Sequence, residues 1–350
     1  MRVLVCEAVC GGFWPEAPSG SLFREGRAML AALVEDLSSA GNVTVEALWD
    51  GRLGAAAPGE GVRWHVVDSV SGAREILQSR AAACDATWLI APETGGMLAE
   101  LARRVERAGG RLVSPGSVAA ESCGDKLALA EWAESRGIAT IPTRSHAPSD
   151  AILSHEYPVV VKPRDGAGSQ ATRLVRNDAE RDALARETDP GAAWIRQPYV
   201  AGRALSVAGI VEEGRGVAWL PVGEQLLSDE GRFTYLGGLI PARGVDASRF
   251  LEALGRGVAG IPGLRGYVGC DLIEVPGLDG TNGAGGKSGA GGAELLLCEI
   301  NPRLTTSYLG YRRLFGNRLV RRVLGEDLEL RGSDGDGVRF APDGGPQCVR

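Results

Sequence analysis

Histidine is scarce in this chain. His65, His146 and His155 stand alone, none at metal-ligand spacing from another, so a histidine-built metal centre is excluded. Cysteine is present but unpatterned. Cys6, Cys10, Cys84, Cys123, Cys270, Cys298 and Cys348 make an odd set without a CxxC pair, which argues against a disulfide framework or a zinc ribbon and for a reducing compartment. Several lie in apolar runs, where cysteine acts as a small buried hydrophobe. No apolar run approaches the roughly 18 residues a membrane helix needs, and Met1-Arg-Val-Leu-Val-Cys6 reads as a strand too short for a signal sequence. The expectation is a soluble, cytoplasmic protein without a membrane partner. A basic field is also lacking: the formal net charge is −6, so nucleic acid is not an expected partner. The Gly11-Gly12 loop lacks the GxGxxG spacing, which removes a dinucleotide site of the usual kind.

What is present is alternation. At 350 residues the chain is long enough for two or three packed units. Residues 2–6, 43–48, 63–67 and 86–91 read as strands, and helical spacing covers 21–37, 71–80 and 96–108, with Ser21 as the first cap. Such alternation implies α/β architecture with a parallel sheet. Glu7, Glu93 and Thr94 follow their strands, where open sheets form ligand crevices, and are substrate candidates beside the plainer reading of loop caps.

Beyond the break at Ser114-Pro-Gly116, Asp125-Lys126 leads a helix to Arg136, and Gly137 closes it. Tyr157-Pro-Val-Val-Val-Lys-Pro163 is a β-branched strand, and Lys162 is held extended by the proline after it. In Arg164-Asp-Gly-Ala-Gly-Ser-Gln170, Gly166 and Gly168 free backbone N–H groups to turn toward an anion, and Ser169 adds a hydroxyl. A phosphate clamp and a simple hairpin turn are both open here. A returning strand at 173–176 and a polar helix at 178–188 follow, then strands near 193–200, 205–211, 217–223 and 233–240. Gly237, Gly238, Pro241 and Arg243 read as a loop, and 247–259 as a helix. The Gln197-Pro198-Tyr199-Val200 segment leaves its strand as a linker whose backbone suits an adenine edge.

Two more strands close the pattern, Arg265–Val275 and Glu294–Asn301, joined by the glycine-rich stretch 277–292 and expected to pair as a hairpin. Side-chain alternation places Leu295, Leu297, Glu299 and Asn301 on one face, with Asp271 across from the last two. An acid inside an apolar strand is costly unless paired or metal-bound, and two carboxylates with an amide oxygen are ligands for a hard Mg²⁺ ion. Gly286-Lys287-Ser288 mimics the end of a P-loop, but a strand follows where a P-loop opens a helix. From about 331 the chain is a polar tail with one short strand at 337–340.

Lys126, Lys162 with its glycine loop, the Gln-Pro-Tyr-Val linker, and Asp271 with Glu299-Ile-Asn301, in this order, make residues 110–325 resemble an ATP-grasp ligase. The preceding part resembles the Rossmann-like pre-ATP-grasp domain. The resemblance implies an N-terminal α/β domain at 1–113 and an ATP-grasp fold of two α+β subdomains at 114–196 and 197–330, with a tail at 331–350. It implies ATP and Mg²⁺ (or Mn²⁺) as cofactors. Lys126, Lys162, Gly166, Gly168, Ser169, Gln197, Pro198, Tyr199 and Val200 would then hold ATP, and Asp271, Glu299 and Asn301 the metal. Arg303, with Lys162, would carry the transfer of the phosphoryl group. One departure stands out: Ala204 replaces the ribose-binding glutamate of many members.

Within that superfamily, Leu22-Phe-Arg-Glu-Gly-Arg-Ala-Met-Leu30 and Asn301-Pro-Arg-Leu-Thr-Thr-Ser-Tyr308 resemble tyramine–glutamate ligases of methanofuran-type cofactor synthesis. This implies an ADP-forming carbon–nitrogen ligase working through an acyl phosphate. Its partners would be a small carboxylate and an amine, with Arg243, Thr305, Thr306 and Tyr308 toward the substrate, and a homodimer is compatible with it. The alternatives are the same fold acting on other amino-acid or peptide substrates, and a non-catalytic ATP-binding regulatory module.

Overall fold

The computed structural model describes residues 1–147, 150–187, 192–276, 293–330 and 337–345. The first strand, β1 (Arg2–Glu7), is buried from Val3 onward because it lies inside a parallel sheet. Its companions are β2 (Thr44–Asp50), β3 (Arg63–Val67) and β4 (Ala86–Ile90), ordered β3-β2-β1-β4. Strands covered on both faces read as continuous apolar runs, as Val3 to Cys6 do. Val3 and Val5 pack with Leu30, Leu33 and Leu37 of α1 (Gly20–Ser38). Leu4 and Cys6 face the other way, against α2 (Val70–Ala83) and α3 (Met97–Arg107). The start of α1 differs from expectation: Ser19 holds the cap position and Ser21 lies inside the first turn, since the extended backbone ends at Ser19.

The chain then enters α4 (Ser117–Gly124), a short helix of small residues whose periodicity is too weak to announce it. Next is α5 (Lys126–Ser135), where the Asp125 carboxylate accepts the Leu127 and Ala128 N–H groups at 3.1 Å each. An antiparallel sheet follows, built from β5 (Arg144–His146), β6 (Val159–Pro163), β7 (Arg173–Val175) and β8 (Trp194–Pro198) in the order β5-β8-β6-β7. Helix α6 (Asp178–Glu187) packs on it.

The third sheet holds β9 (Arg203–Glu212), β10 (Gly216–Trp219), β11 (Gly223–Leu227), β12 (Tyr235–Ile240), β13 (Gly266–Val275), β14 (Glu294–Asn301) and β15 (Val338–Phe340). Its order is β14-β13-β9-β11-β12-β15, with β10 folded back on β9. Val268, Cys270 and Leu272 enter a core with Leu205, Val207 and Leu254, the last from α7 (Ser248–Val258). Past β14 the chain forms α8 (Tyr308–Phe315) and α9 (Arg318–Val323), which return to α1.

Two expectations are corrected here. Gly237 and Gly238 lie in β12 rather than in a loop, and Gly238 pairs with both Gln225 and Phe340. A Cβ on Gly238 would meet the Phe340 ring at 2.8 Å, so the glycine makes room for the edge strand. Strand β11, which carries Gln225, was not expected at all. The stretch 277–292, with its P-loop mimic, lies outside the described residues, as do 331–336 and 346–350 of the tail.

Candidate active site

The site grows from the β13–β14 hairpin. Asp271 pairs with Glu299, and Gly269 with Asn301. The expected face assignment needs correcting: Leu297 pairs with Leu272, so Cys298 is an extra residue and the ladder bulges there. The bulge resets the alternation by one residue. Leu295, Leu297 and Ile300 go to the core, while Glu299 and Asn301 join Asp271 on the opposite face.

On that face the charges are dense. Asn301 Nδ2 donates to Asp271 Oδ2 at 3.0 Å, and Gln225 Nε2 donates to Asp271 Oδ1 at 2.8 Å. Lys126 Nζ sits 3.5 Å from Glu299 Oε2 and donates to the Gly166 carbonyl at 2.7 Å. Lys126 is buried, so its ammonium acts in a weakened dielectric. Burial works against the Glu299 carboxylate, but Lys126 and Lys162 outweigh it and hold the group down at about 2. Burial and the Glu299 charge push Asp271 the other way, to about 8. Two acids that close cannot both ionise without a cation between them.

Arg303 emerges where β14 ends, and its side chain turns toward the N-terminal sheet. Its Nε lies 3.0 and 3.2 Å from the two oxygens of Glu93, with both side chains nearly buried. Arg303 Nη2 lies 3.4 Å from Asn301 Oδ1. Glu93, read from sequence as a substrate candidate or a loop cap, is instead the fixed partner of Arg303. Glu25 of α1 is also close enough to Arg303 for the two charges to act on each other.

The glycine loop lies over Lys126. Gly166 and Gly168 have φ of +133° and +65°, conformations that favour glycine. The Ser169 hydroxyl is not free for a phosphate: it donates to the Phe233 carbonyl. In the linker, Gln197 Nε2 donates to Thr143 Oγ1 at 2.8 Å, and the Tyr199 N–H donates to the Pro158 carbonyl at 3.0 Å. The Pro198 backbone stays in β8, opposite Val159. The strand end has thus used the Gln197 amide N–H and the Tyr199 backbone N–H internally.

The expected substrate residues separate. Thr305 Oγ1 bonds to the Ser307 hydroxyl at 2.7 Å, and Thr306 bonds to Tyr235. Tyr308 is fully buried, and its hydroxyl donates to Asp36 inside the α1–α8 seam, so it is a core residue and not a pocket residue. Arg243 is exposed, and its carbonyl is held by Arg203 at 2.8 Å. Arg203 sides with Glu224 and Glu274, across the sheet from Asp271, so Arg243 does not join the site.

A model described as an ATP-grasp domain matches residues 123–307. The chain belongs to the ATP-grasp family. A model of the pre ATP-grasp 3 domain matches residues 43–120. The ATP-grasp chain is similar to biotin carboxylase of Pseudomonas aeruginosa, 25% identical over 276 residues. That match takes in 72% of this chain but 58% of the relative, so the chain spans somewhat over half the relative's length. Among solved structures, an ATP-grasp superfamily protein from Archaeoglobus fulgidus gives a TM-score of 0.66 at 22% identity, covering 97% of this chain and 98% of that one. The biotin carboxylase domain of a Hydrogenobacter thermophilus 2-oxoglutarate carboxylase, solved with MgADP and bicarbonate, gives 0.66 at 16%, covering 96% and 72%. At these identities the solved structures speak for the fold.

ATP and Mg²⁺ are the cofactors of ATP-grasp enzymes, and the donor set fits them. Among the described residues no group of three His, Cys, Asp or Glu side chains forms a metal cluster. Two carboxylates beside the Asn301 amide oxygen are hard oxygen donors and suit Mg²⁺ better than a softer ion. A dication would also neutralise the pair that Asp271 and Glu299 form. Among the described residues no helix is long and apolar enough to cross a membrane.

Proposed function

We propose that this protein is an ATP-dependent carbon–nitrogen ligase, active on a small carboxylate and an amine in the cytoplasm. The observation that supports it is the convergence of Lys126, Lys162, Asp271, Glu299, Asn301 and Arg303 on one face of the β13–β14 hairpin. Bound Mg²⁺ would supply charge neutralisation on the polyphosphate. Lys126, Lys162 and the N–H groups of Gly166 and Gly168 would hold the phosphates, and Val200 with the linker carbonyls the base. Arg303 would face the transferring phosphoryl group, with Asn301 beside it. A carboxylate oxygen takes that phosphoryl group to give an acyl phosphate, and the amine nitrogen displaces phosphate.

For the narrower reading, the activated group is the side-chain carboxylate of L-glutamate and the amine is tyramine or a close aromatic relative. It rests on the resemblance of segments 22–30 and 301–308. Those segments approach one another in the fold, where the Glu25 and Arg303 charges act on each other. With Tyr308 in the core, we assign substrate recognition to Glu25, Tyr235 and Thr306, which surround the Arg303 end of the site.

The test is ADP release from the purified chain with ATP, Mg²⁺ and L-glutamate, with and without tyramine, beside Asn301→Ala. Tyramine-dependent ADP that the substitution reduces at least ~100-fold is the expected result. Turnover only with other carboxylates or amines would overturn the narrow reading and keep the ligase. ATP binding without turnover across a broad panel would overturn the ligase.

A further inference from the structure

The loop that follows β4 touches two parts of the site at once. At one end, Glu93 grips Arg303 Nε through both carboxylate oxygens, at 3.0 and 3.2 Å. Two residues on, the Gly95 N–H donates to Asp165 Oδ2 at 2.8 Å, and Asp165 belongs to the glycine flap. Thr94 lies between these contacts, and a Cβ added to Gly166 would come within 3.5 Å of the Thr94 hydroxyl.

The loop is built stiff. Gly95 and Gly96 both have left-handed backbones, at φ +62° and +68°. The Gly96 N–H closes onto the Glu93 carbonyl at 2.9 Å, and the Leu98 N–H onto the Pro92 carbonyl at 3.1 Å. Beneath it, Gly124 leaves only 3.4 Å between its missing Cβ and that of Glu93. A short stiff loop transmits a displacement at Gly95 to Glu93 more faithfully than a loose one. Glu93 also takes up the Nε edge of the guanidinium, while Nη1 lies 3.3 Å from the Leu304 carbonyl and Nη2 lies 3.4 Å from Asn301 Oδ1.

We propose that the segment Glu93–Gly96 is a latch: Glu93 is the positioning residue for Arg303, and the Gly95–Asp165 bond ties that position to closure of the glycine flap over nucleotide. The arginine is then aligned when the flap is down and relaxes when it lifts. This rests on the ATP site of the family and is independent of which carboxylate and amine are joined.

Two measurements test it on the whole 350-residue chain. In hydrogen exchange of the wild-type protein, a non-hydrolysable ATP analogue with Mg²⁺ slows the Gly95 amide at least ~10-fold. The same analogue does so in Glu93→Gln, but not in Asp165→Ala. The second measurement is calorimetric titration with MgADP, alone and with aluminium fluoride standing in for the transferring phosphoryl group. Glu93→Gln weakens binding of the aluminium fluoride complex about 10-fold or more while MgADP alone changes less than about 2-fold, since a misplaced arginine costs most where charge is in transfer. In the Arg303→Ala background the same substitution adds less than about 2-fold.

Gly95 exchange that ignores nucleotide in the wild-type chain overturns the latch, and needs no variant. A Glu93→Gln loss that persists undiminished in Arg303→Ala, or that falls equally on MgADP alone, overturns the positioning role. None of these readings requires turnover, so failure of the ligase assay is distinguishable from failure of the latch.

Discussion

Replacing Glu7 by Gln should make the protein more tolerant of alkaline pH. Glu7 ends β1 with 1% of its surface exposed. Its carboxylate accepts the Cys10 N–H at 2.7 Å and the Val9 N–H at 3.2 Å, and it lies 2.8–2.9 Å from where a Cβ on Gly26 would stand. Burial dominates those hydrogen bonds and the charge of Arg303, raising the group from 4.5 to about 7. The folded state therefore holds the proton more tightly than the unfolded chain. Its contribution is fully present below the unfolded value near 4.5 and is lost as pH climbs through about 7. At ~1.4 kcal/mol for each tenfold change in proton affinity, the loss from about pH 5 to about pH 8 is roughly 2–3 kcal/mol. Glu7→Gln carries no such charge. It gives up about 1 kcal/mol at every pH, because its amide nitrogen cannot accept from a backbone N–H. Urea unfolding of both proteins at a series of pH values reads the difference directly. The variant should gain on the wild type steadily across that window. A difference that is flat in pH, or that grows against the variant as pH rises, would show that Glu7 is ionised and satisfied in the folded state, and the reasoning would fail.

Two further substitutions probe the corrected parts of the picture. Tyr308→Phe should cost about 1–2 kcal/mol in unfolding free energy, because Asp36 keeps both bonds from Arg312, at 2.9 and 2.6 Å. Its nucleotide affinity should match the wild type, and a large specific loss of turnover in a folded Tyr308→Phe protein would return the residue to the pocket. Gly266→Ala should destabilise by at least ~3 kcal/mol, from a left-handed backbone joined to a clash. At Gly266 φ is +66°, and an added Cβ would lie 2.0 Å from the Val113 carbonyl. A thermal melt with an unchanged midpoint would contradict this.

Much of the charge cluster around Asp271 and Glu299 was legible before the fold was seen. Lys126, Lys162 and Lys287 are the only lysines in a chain whose other basic residues are arginine. Two of those three bear electrostatically on Glu299. A compact, strongly hydrated ammonium group supplies a point charge where a guanidinium supplies a planar fork. The strand periods, the capped start of α5 and the Asp271–Glu299 hairpin likewise follow from local pattern and short connections. Other features had no such signal. Gln225 sits on a strand whose Glu-Gln-Leu-Leu pattern shows no clear alternation, and it reaches Asp271 only because β11 lies two strands from β13.

The sequence alone determined most of the longer strands and helices and which residue types carry charge at strand ends, since these depend on period, capping and backbone preference over a few residues. Short elements such as α4 and β11 left no such signal. The tertiary structure decided where those charges point. The bulge at Cys298 moved Glu299 and Asn301 off the face that strict alternation assigns them, because one unpaired residue inverts every side chain beyond it. The ion pair between Glu93 and Arg303 joins positions 210 apart in the chain, and Tyr308 meets Asp36 across 272. Contacts of that span are set by how layers stack, and no local spacing records them.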